Sequence, residues 1–252
     1  MRFTHFFFLL YFFVFLNCKE EKLQLSKIEG VQIEITDALT VNSEIEAFIK
    51  PYRNHIKKDL DSVLAFSYAT YSKNDGKFNT AIGNFIADAV YSEANPIFKS
   101  RTGKDIDMVL LNHGGIRSTL NKGNISKKTA FELIPFENSV VIIALKGTQM
   151  NSLIDYLRKM KTAHPISKLN LILNKDFEVV EAKIKGEDIK NSKTYFVATN
   201  DYLYNGGDNM RFFKPNDSAY YLNYKIRTIL IDKFNKMDTI KPVIDNRFIQ
   251  IK

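Results

Sequence analysis

The stretch TYFVATNDYLYNGGD, Thr194–Asp208, joins an apolar run to a polar loop that ends in two glycines. The run alternates as a strand does, and the glycines permit a sharp turn after it. A turn needs only the glycines, so the tyrosines and aspartates of NDYLYNGGD require another explanation. Tyr202 and Tyr204 offer flat faces, and Asp208 can accept hydrogen bonds from vicinal hydroxyls. We therefore interpret residues 200–208 as a candidate binding loop.

A second loop, LNHGGIR at 111–117, follows the short apolar run IDMVLLN, which is typical of a buried strand. Glycine loops at strand ends are frequent ligand sites in α/β sheets, and their free N–H groups can face an anion. Arg117 offers a planar fork suited to phosphate or carboxylate. His113 has no HxH, HExxH or DxH pattern around it, so we interpret it as a loop residue and not as a metal ligand.

Two further segments are candidates with a structural alternative. Phe136 lies in ELIPFENS, 132–139, where an aromatic side chain either closes the core or forms a stacking surface. Gly83 and Asn84 lie at a predicted helix start in AIGNFIADAV, 81–90. There the glycine allows close backbone approach and the asparagine reaches a neighbouring loop, or the segment is simply a helix with a core face.

Hydrophobic spacing predicts helices and strands in alternation, which indicates α/β layers with a mixed sheet. A capping box at Ser43 and Glu46 predicts a helix start, with Pro51 interrupting or kinking that helix. Another helix is predicted near Asn79, a further one after residue 147, and a long amphipathic one over 220–237. Strands are predicted at 63–69, 106–112 and 139–147, followed by the alternating runs LNLILN, FEVVEAKIKG and TYFVATN.

The N-terminus is of a different kind. Residues 1–17 hold one arginine and an apolar run that ends just before Cys18, the only cysteine, so no intrachain disulfide is expected. The run is shorter than the ~20 residues that span a bilayer, as in an export signal. It resembles a bacterial lipoprotein, which implies a signal peptide over 1–17, lipidation of Cys18 and a tether over 18–26. An uncleaved anchor, or a signal cleaved elsewhere, is the alternative.

The net charge of +8 suits phosphorylated ligands or nucleic acid, but the lysines are scattered and no run of five basic residues occurs. We interpret the charge as a solvated surface and expect no nucleic-acid partner.

Four segments together resemble one family. NTAIGNFIADAV, DMVLLNHGGIR, GNISKKTAFELIPFENSVVIIALKG and TYFVATNDYLYNGGD occur in the order seen in the C-terminal domain of 5'-nucleotidases. The resemblance implies a layered α/β/β/α fold with mixed sheets over 27–252, which binds the nucleoside part of a nucleotide. It implies substrate contacts by Asn112, Gly115, Arg117, Phe136, Tyr202 and Asp208, with Phe136 and Tyr202 stacking on the base. It assigns supporting loop roles to Gly83, Asn84, Gly114, Asn200, Gly206 and Gly207.

The chain departs from the family's pattern. His113 stands where glycine is usual, and the metal-binding motifs of the family's catalytic domain are not found in the sequence. We therefore expect no cofactor in this chain and no phosphate ester hydrolysis by it alone. We hypothesise that a separately encoded metallophosphoesterase docks on this chain and supplies divalent metals. The lipoprotein resemblance of the N-terminus implies that this chain is lipid-anchored in the bacterial envelope, on its periplasmic or surface side. A stand-alone envelope nucleoside-binding lipoprotein and a relic without ligand are the alternatives.

Overall fold

The structure is a computed structural model, and it describes residues 24–251. By its contacts the chain divides into two units, residues 1–48 and 49–252. In the first unit, residues 24–42 form neither helix nor strand and are exposed. The predicted signal peptide, Cys18 and the tether as far as residue 23 lie outside the described residues.

The first described helix is α1 (Ser43–Leu60), and its N-cap differs from the prediction. The side chain of Asn42 accepts hydrogen bonds from the backbone N–H groups of Glu44 and Ile45, at 3.0 and 3.1 Å. Asn42 is therefore the cap, and the predicted capping box that begins at Ser43 is wrong by one residue. Of the two outcomes predicted at Pro51, an interruption is wrong, because α1 continues through the proline; the kink stays a prediction.

The second unit contains the remaining elements. Its other helices are α2 (Ala81–Thr102), α3 (Lys127–Leu133), α4 (Gly147–Met160), α5 (Asp201–Tyr204) and α6 (Ile226–Asn235). Its strands are β1 (Val63–Ser67), β2 (Met108–Leu110), β3 (Gly123–Ser126), β4 (Ser139–Lys146), β5 (Ile166–Ser167), β6 (Leu169–Leu173), β7 (Val179–Ile184), β8 (Glu187–Asp188), β9 (Thr194–Asn200), β10 (Ser218–Lys225), β11 (Thr239–Ile240) and β12 (Phe248–Gln250).

Three sheets organise these strands. The five-stranded sheet has the order β10-β4-β9-β2-β5, the four-stranded sheet β12-β6-β7-β8 and the three-stranded sheet β11-β1-β3. Each combines parallel and antiparallel pairs; β2 pairs in parallel with β9, for example, while β4 is antiparallel to it. The predicted α/β class with mixed sheets is confirmed.

The central strands β4, β9 and β2 of the five-stranded sheet are buried on both faces, as the continuous apolar run of β4 requires. Val140 and Ile142 pack into the core that α2 and α6 cover. Val141 and Ile143 point into the other core, which α4 and the four-stranded sheet cover. The central strands are therefore fixed from both sides, and their ends form a rigid support for the loops that follow.

The predicted helix over 220–237 is wrong in its first part. Residues up to Lys225 belong to β10, which pairs antiparallel with β4, and only then does α6 begin. Tyrosines favour strands, and the edge of β4 offers backbone partners that a helix would leave unused. The pairing register shifts between Tyr221 and Lys225, where Asn223 has a φ of +55°, and the chain there changes from strand to helix.

Among residues 24–251, no helix is long and apolar enough to cross a membrane.

Candidate functional site

The topology brings three loops to one edge of the five-stranded sheet. β2 and β9 are parallel neighbours, with Val109 opposite Ala198, so their carboxyl ends and the loops after them share an edge. β4 runs the other way, with Val140 opposite Asn200, so the loop before β4 reaches the same edge. Such an edge is where α/β sheets commonly bind ligands. We call these loops, residues 112–117, 134–138 and 200–209, the edge site.

Asn112 is the innermost polar group of the edge site. It is buried, yet its side chain forms no hydrogen bond with any residue that the structure describes. Gly115 follows it in a 3₁₀ turn, and a Cβ on this glycine would lie 3.0 Å from Asn112 Oδ1. On Gly114 a Cβ would lie 3.5 Å from Asn112 Nδ2, in ordinary contact. Its amide atoms are not among the fully buried unpaired atoms of the described residues, so solvent or a ligand can still reach them and complete their bonding.

Arg117 and Phe136 lie together on one side of the edge site. The guanidinium carbon is 5.9 Å from the centre of the Phe136 ring, and Nη1 donates weakly to the Gly114 carbonyl at 3.5 Å. Within the described part of the chain, no carboxylate pairs with Arg117. Phe136 is 43% exposed, so it does not close the core. This side therefore presents an aromatic face and an uncompensated cation.

Arg227 supports the loop that carries Phe136 by bonding to its backbone, and the sequence analysis did not predict this residue. Arg227 lies on α6, is 7% exposed and donates to the Pro135 carbonyl at 3.0 Å. It also pairs with Glu137 and lies 4.0 Å from the centre of the Phe131 ring. The signal in the sequence was an arginine on the apolar side of an amphipathic helix, which is unusual without a specific partner.

Tyr202 and Asp208 form the opposite side. Asn200 caps α5 by accepting from the Leu203 N–H at 2.8 Å, which places Tyr202 in its first turn. The chain then reverses through Gly206, with a φ of +94°, and the Tyr202 hydroxyl donates to Asp208 Oδ1 at 3.0 Å. A Cβ on Gly207 would lie only 2.4 Å from the Tyr202 ring, so the ring lies directly on this glycine. Tyr202 remains 47% exposed and forms no ring contact with Phe136.

Tyr156 and His164, which the sequence did not single out, support this side. The Tyr156 hydroxyl donates to the Asp208 carbonyl at 2.9 Å, and its ring centre lies 5.7 Å from that of His164. Burial, with the nearby charge of Asp208, raises the pKa of Tyr156 to about 12. Burial lowers the pKa of His164 to about 4. Both groups are therefore neutral at pH 7.

The 3₁₀ turn at His113 connects the two sides. The His113 N–H donates to His164 Nδ1 at 3.3 Å, and His113 Nδ1 lies 3.3 Å from the Ala163 carbonyl oxygen. Burial lowers the pKa of His113. Within residues 24–251 no group of three or more His, Cys, Asp or Glu side chains could hold a metal ion.

Gly83 and Asn84 lie in the first turn of α2, and their contacts are with other parts of the fold. The Asn84 amide donates to Asn79 Oδ1 at 2.8 Å and to the Val243 carbonyl at 3.0 Å. The Gly83 N–H donates to the side chain of Thr80, the N-cap of α2.

A small cavity of about 20 Å³ lies under the edge site, with Asn112, Phe136, Asn138 and Asn200 in its lining, and it has room for a single water only.

Comparison with solved structures shows the same fold elsewhere. A 5'-nucleotidase precursor from Thermus thermophilus aligns over 82% of this chain and 43% of its own, with a TM-score of 0.68 and 19% identity. The NAD nucleotidase NadN of Haemophilus influenzae aligns over 84% and 42%, with a TM-score of 0.62 and 15% identity. At these identities the likeness concerns the fold.

Curated relatives extend the likeness to sequence. An apyrase of Tabanus yao is 24% identical over 84% of this chain and 42% of its own, and the protein UshA of Escherichia coli K12 is 27% identical over 69% and 31%. The chain thus matches less than half the length of either relative. The sequence model described as 5'-nucleotidase, C-terminal domain, matches residues 61–215, more than half of the chain. The chain therefore belongs to the 5'-nucleotidase C-terminal domain family.

Proposed function

We propose that this chain binds a nucleotide or nucleoside at the edge site, as the substrate-recognition half of an exported 5'-nucleotidase. One observation carries the proposal. A single sheet edge presents two exposed aromatic rings, on Phe136 and Tyr202, together with the Asp208 carboxylate and the unpaired guanidinium of Arg117. These are the chemical groups that a base, a ribose and a phosphate require.

Each group contributes a separate part of the binding energy. Stacking on an aromatic ring contributes about 1–3 kcal/mol per base and tolerates any base. A carboxylate that accepts two hydroxyls forms charge-assisted hydrogen bonds, which Asp208 offers to the ribose. Arg117 can donate in parallel to two phosphate oxygens. The buried amide of Asn112 gains the partner that it lacks in the described protein.

The Tyr202 hydroxyl already donates to Asp208 at 3.0 Å. A ribose that binds to Asp208 therefore displaces this phenol or shares the carboxylate with it. We propose that the closed Tyr202–Asp208 pair keeps the carboxylate satisfied in the free protein, and that the ligand replaces this bond with its own.

We propose that hydrolysis needs a metallophosphoesterase that is encoded separately and docks on this chain, with divalent metals bound in that partner. The proposal is supported by the relatives that this chain matches over part of their length, an apyrase and a 5'-nucleotidase precursor, both named for nucleotide hydrolysis. We also propose that lipidation at Cys18 anchors the chain in the cell envelope, on the strength of the N-terminal pattern.

The test is calorimetric titration of the full-length chain in a mild detergent with adenosine and AMP, beside Phe136→Ala and Tyr202→Ala. We expect each alanine variant to bind about tenfold to a hundredfold more weakly, since each removes one stacking face. Tyr202→Phe is the matched control, because it keeps the ring and removes only the hydroxyl; we expect it to bind at least as tightly as the wild type.

Phosphate release is measured in the same samples with Mn²⁺ or Zn²⁺ present, and we expect none. Release by the purified chain would contradict the need for a partner. Binding that persists unchanged in both alanine variants would contradict the edge site. Binding without any gain of hydrolysis from exported metallophosphoesterases of the same organism would favour the stand-alone binding lipoprotein instead.

A further inference from the structure

We propose that His113 accepts a hydrogen bond at Nε2 from an N–H or O–H group of the bound nucleoside, and so determines which nucleosides the edge site prefers. The inference rests on the proposed function and adds to it a specificity residue.

The contact to Ala163 determines which ring nitrogen of His113 carries the proton. Nδ1 lies 3.3 Å from the Ala163 carbonyl oxygen, which can only accept. Nδ1 must therefore be the donor, and in the neutral imidazole Nε2 is then a lone-pair acceptor. The half-buried environment of the ring keeps the imidazole neutral at pH 7, because burial lowers its pKa.

His164 fixes the backbone of the same residue. Its Nδ1 accepts the His113 N–H at 3.3 Å, and it can do so only while it is neutral. Burial lowers the pKa of His164 to about 4, so the acceptor is present at pH 7. His113 is thus held at two points, one on the main chain and one on the ring, and its orientation does not depend on a ligand.

Backbone contacts connect the turn that contains His113 to both sides of the edge site. On one side the next residue, Gly114, accepts from Arg117, which lies against Phe136. On the other side His164 packs against Tyr156, whose hydroxyl bonds to Asp208. The His113 side chain is partly exposed, and among the described residues none bonds to its Nε2. The proposal is that a ligand between the aromatic rings uses this acceptor, which the described protein leaves unpaired.

An acceptor of this kind discriminates between nucleosides of the same shape. A ligand with a donor opposite Nε2 gains one hydrogen bond, whereas a ligand without it leaves the nitrogen unpaired. The donor is either a base amine or a ribose hydroxyl. We expect the bond to change affinity by about fivefold to tenfold.

Two amide substitutions separate the two ring nitrogens. In His113→Asn the amide nitrogen stands at the Nδ1 position and can keep the bond to Ala163, but nothing replaces Nε2. In His113→Gln the amide oxygen can stand at the Nε2 position. We expect the full-length Asn variant to bind adenosine about fivefold to tenfold more weakly and the Gln variant to keep most of the affinity. If the thermal unfolding of the Asn variant differs from wild type, His113→Gly takes its place.

The ligands titrated are adenosine, purine riboside, 2'-deoxyadenosine and 3'-deoxyadenosine. Purine riboside lacks the base amine, and each deoxynucleoside lacks one hydroxyl. The ligand that binds the wild type and the Asn variant equally identifies the donor. Equal binding of adenosine by all variants would overturn the inference and leave the proposed function intact. An equal loss of affinity in the Asn and Gln variants would do the same, because a change in packing would explain it. No nucleoside binding by the wild type would overturn both.

Discussion

Two asparagines of this chain look alike in sequence and differ in the structure. Asn84 and Asn112 each lie within two residues of a glycine, each belongs to a segment that resembles the family, and each is buried. The amide of Asn84 donates to Asn79 and to the Val243 carbonyl, within a cluster that ties α2 to the C-terminal segment. The amide of Asn112 bonds to no described residue and faces the edge site. The Oδ1 of Asn84 is buried without a partner among the described residues, so the two side chains differ in the bonds that their amide nitrogens donate. We use this difference to distinguish the scaffold from the edge site.

The cluster around Asn79 continues this contrast. The amide of Asn79 donates to the carbonyls of Asp245 and Phe248, both at 3.0 Å, and its oxygen accepts from Asn84 and from the Asp245 N–H. This one side chain satisfies main-chain groups of β12 and of the segment before it. It is fully occupied by the protein and has nothing left to offer a ligand.

The largest effect that we predict concerns this cluster. Asn79→Ala leaves two carbonyls without a donor and removes the acceptor for Asn84, so we expect the free energy of unfolding to fall by about 3 kcal/mol. Urea denaturation of the full-length chain measures this. The affinity for adenosine should stay at the wild-type value, because the cluster touches no part of the edge site.

Asn112→Ala is the matched control. It removes an amide that forms no hydrogen bond with any described residue. We therefore expect the free energy of unfolding to change by less than about 1 kcal/mol and adenosine to bind more weakly. If Asn112→Ala destabilised the fold as strongly as Asn79→Ala, the distinction between scaffold and site would fail.

Local patterns in the sequence predicted most of the fold. The buried strands at Met108–Leu110 and Ser139–Lys146 and the helix from Ala81 follow from runs and spacing that act locally. The segment after Ser218 was predicted wrongly, because its helical spacing competes with pairing to β4, a partner far away in the chain. Periodicity cannot report such long-range pairing.

The arrangement of the candidate site was predictable in part. Tyr202, Asp208, Arg117 and Phe136 come from motifs, and the structure brings their loops to one edge. The residues that support them were not predicted, since Arg227, Tyr156 and His164 act through main-chain groups or ring packing. Main-chain groups have no signature in a sequence, so a residue whose role is to bond to one leaves no local pattern.

The second prediction concerns His164, which lies behind the edge site yet belongs to the scaffold. Its folded pKa of about 4 lies below the unfolded value, so the unfolded chain takes up the proton first as the pH falls. The stability that neutral His164 contributes is therefore complete above pH 6.5 and is lost as the pH falls towards 4. Between pH 7 and pH 5 we expect a loss of about 2 kcal/mol from this group.

His164→Asn isolates that contribution. Its side-chain oxygen can still accept the His113 N–H, but the residue does not titrate. Urea denaturation at pH 7, 6 and 5 should show the wild type losing stability relative to the variant by about 2 kcal/mol. If the free energies of unfolding of the two proteins differed by the same amount at every pH, the prediction would be wrong. The pKa of His164 would then be the same in the folded and the unfolded chain.

The smallest predicted effect uses two adjacent glycines of the edge site, one that shapes the backbone turn and one that supports the Tyr202 ring. Gly206 has a φ of +94° with open space at its Cβ position, whereas Gly207 has no positive φ and lies against the Tyr202 ring. Gly206→Ala strains the backbone, and we expect it to cost about 1 kcal/mol of stability with little change in affinity. Gly207→Ala pushes the Tyr202 ring away, and we expect adenosine to bind about tenfold more weakly with little change in stability.

Calorimetry and urea denaturation on both variants complete this test. The ring of Tyr202 is half exposed, so it can move without disturbing the core, and the hydrogen bond from its hydroxyl to Asp208 breaks when it does. A Gly207→Ala variant that binds adenosine as tightly as the wild type would mean that the ligand does not use the Tyr202 face in its observed position. If instead Gly206→Ala lost affinity while Gly207→Ala kept it, binding would depend on the backbone of the turn and not on the aromatic ring above it.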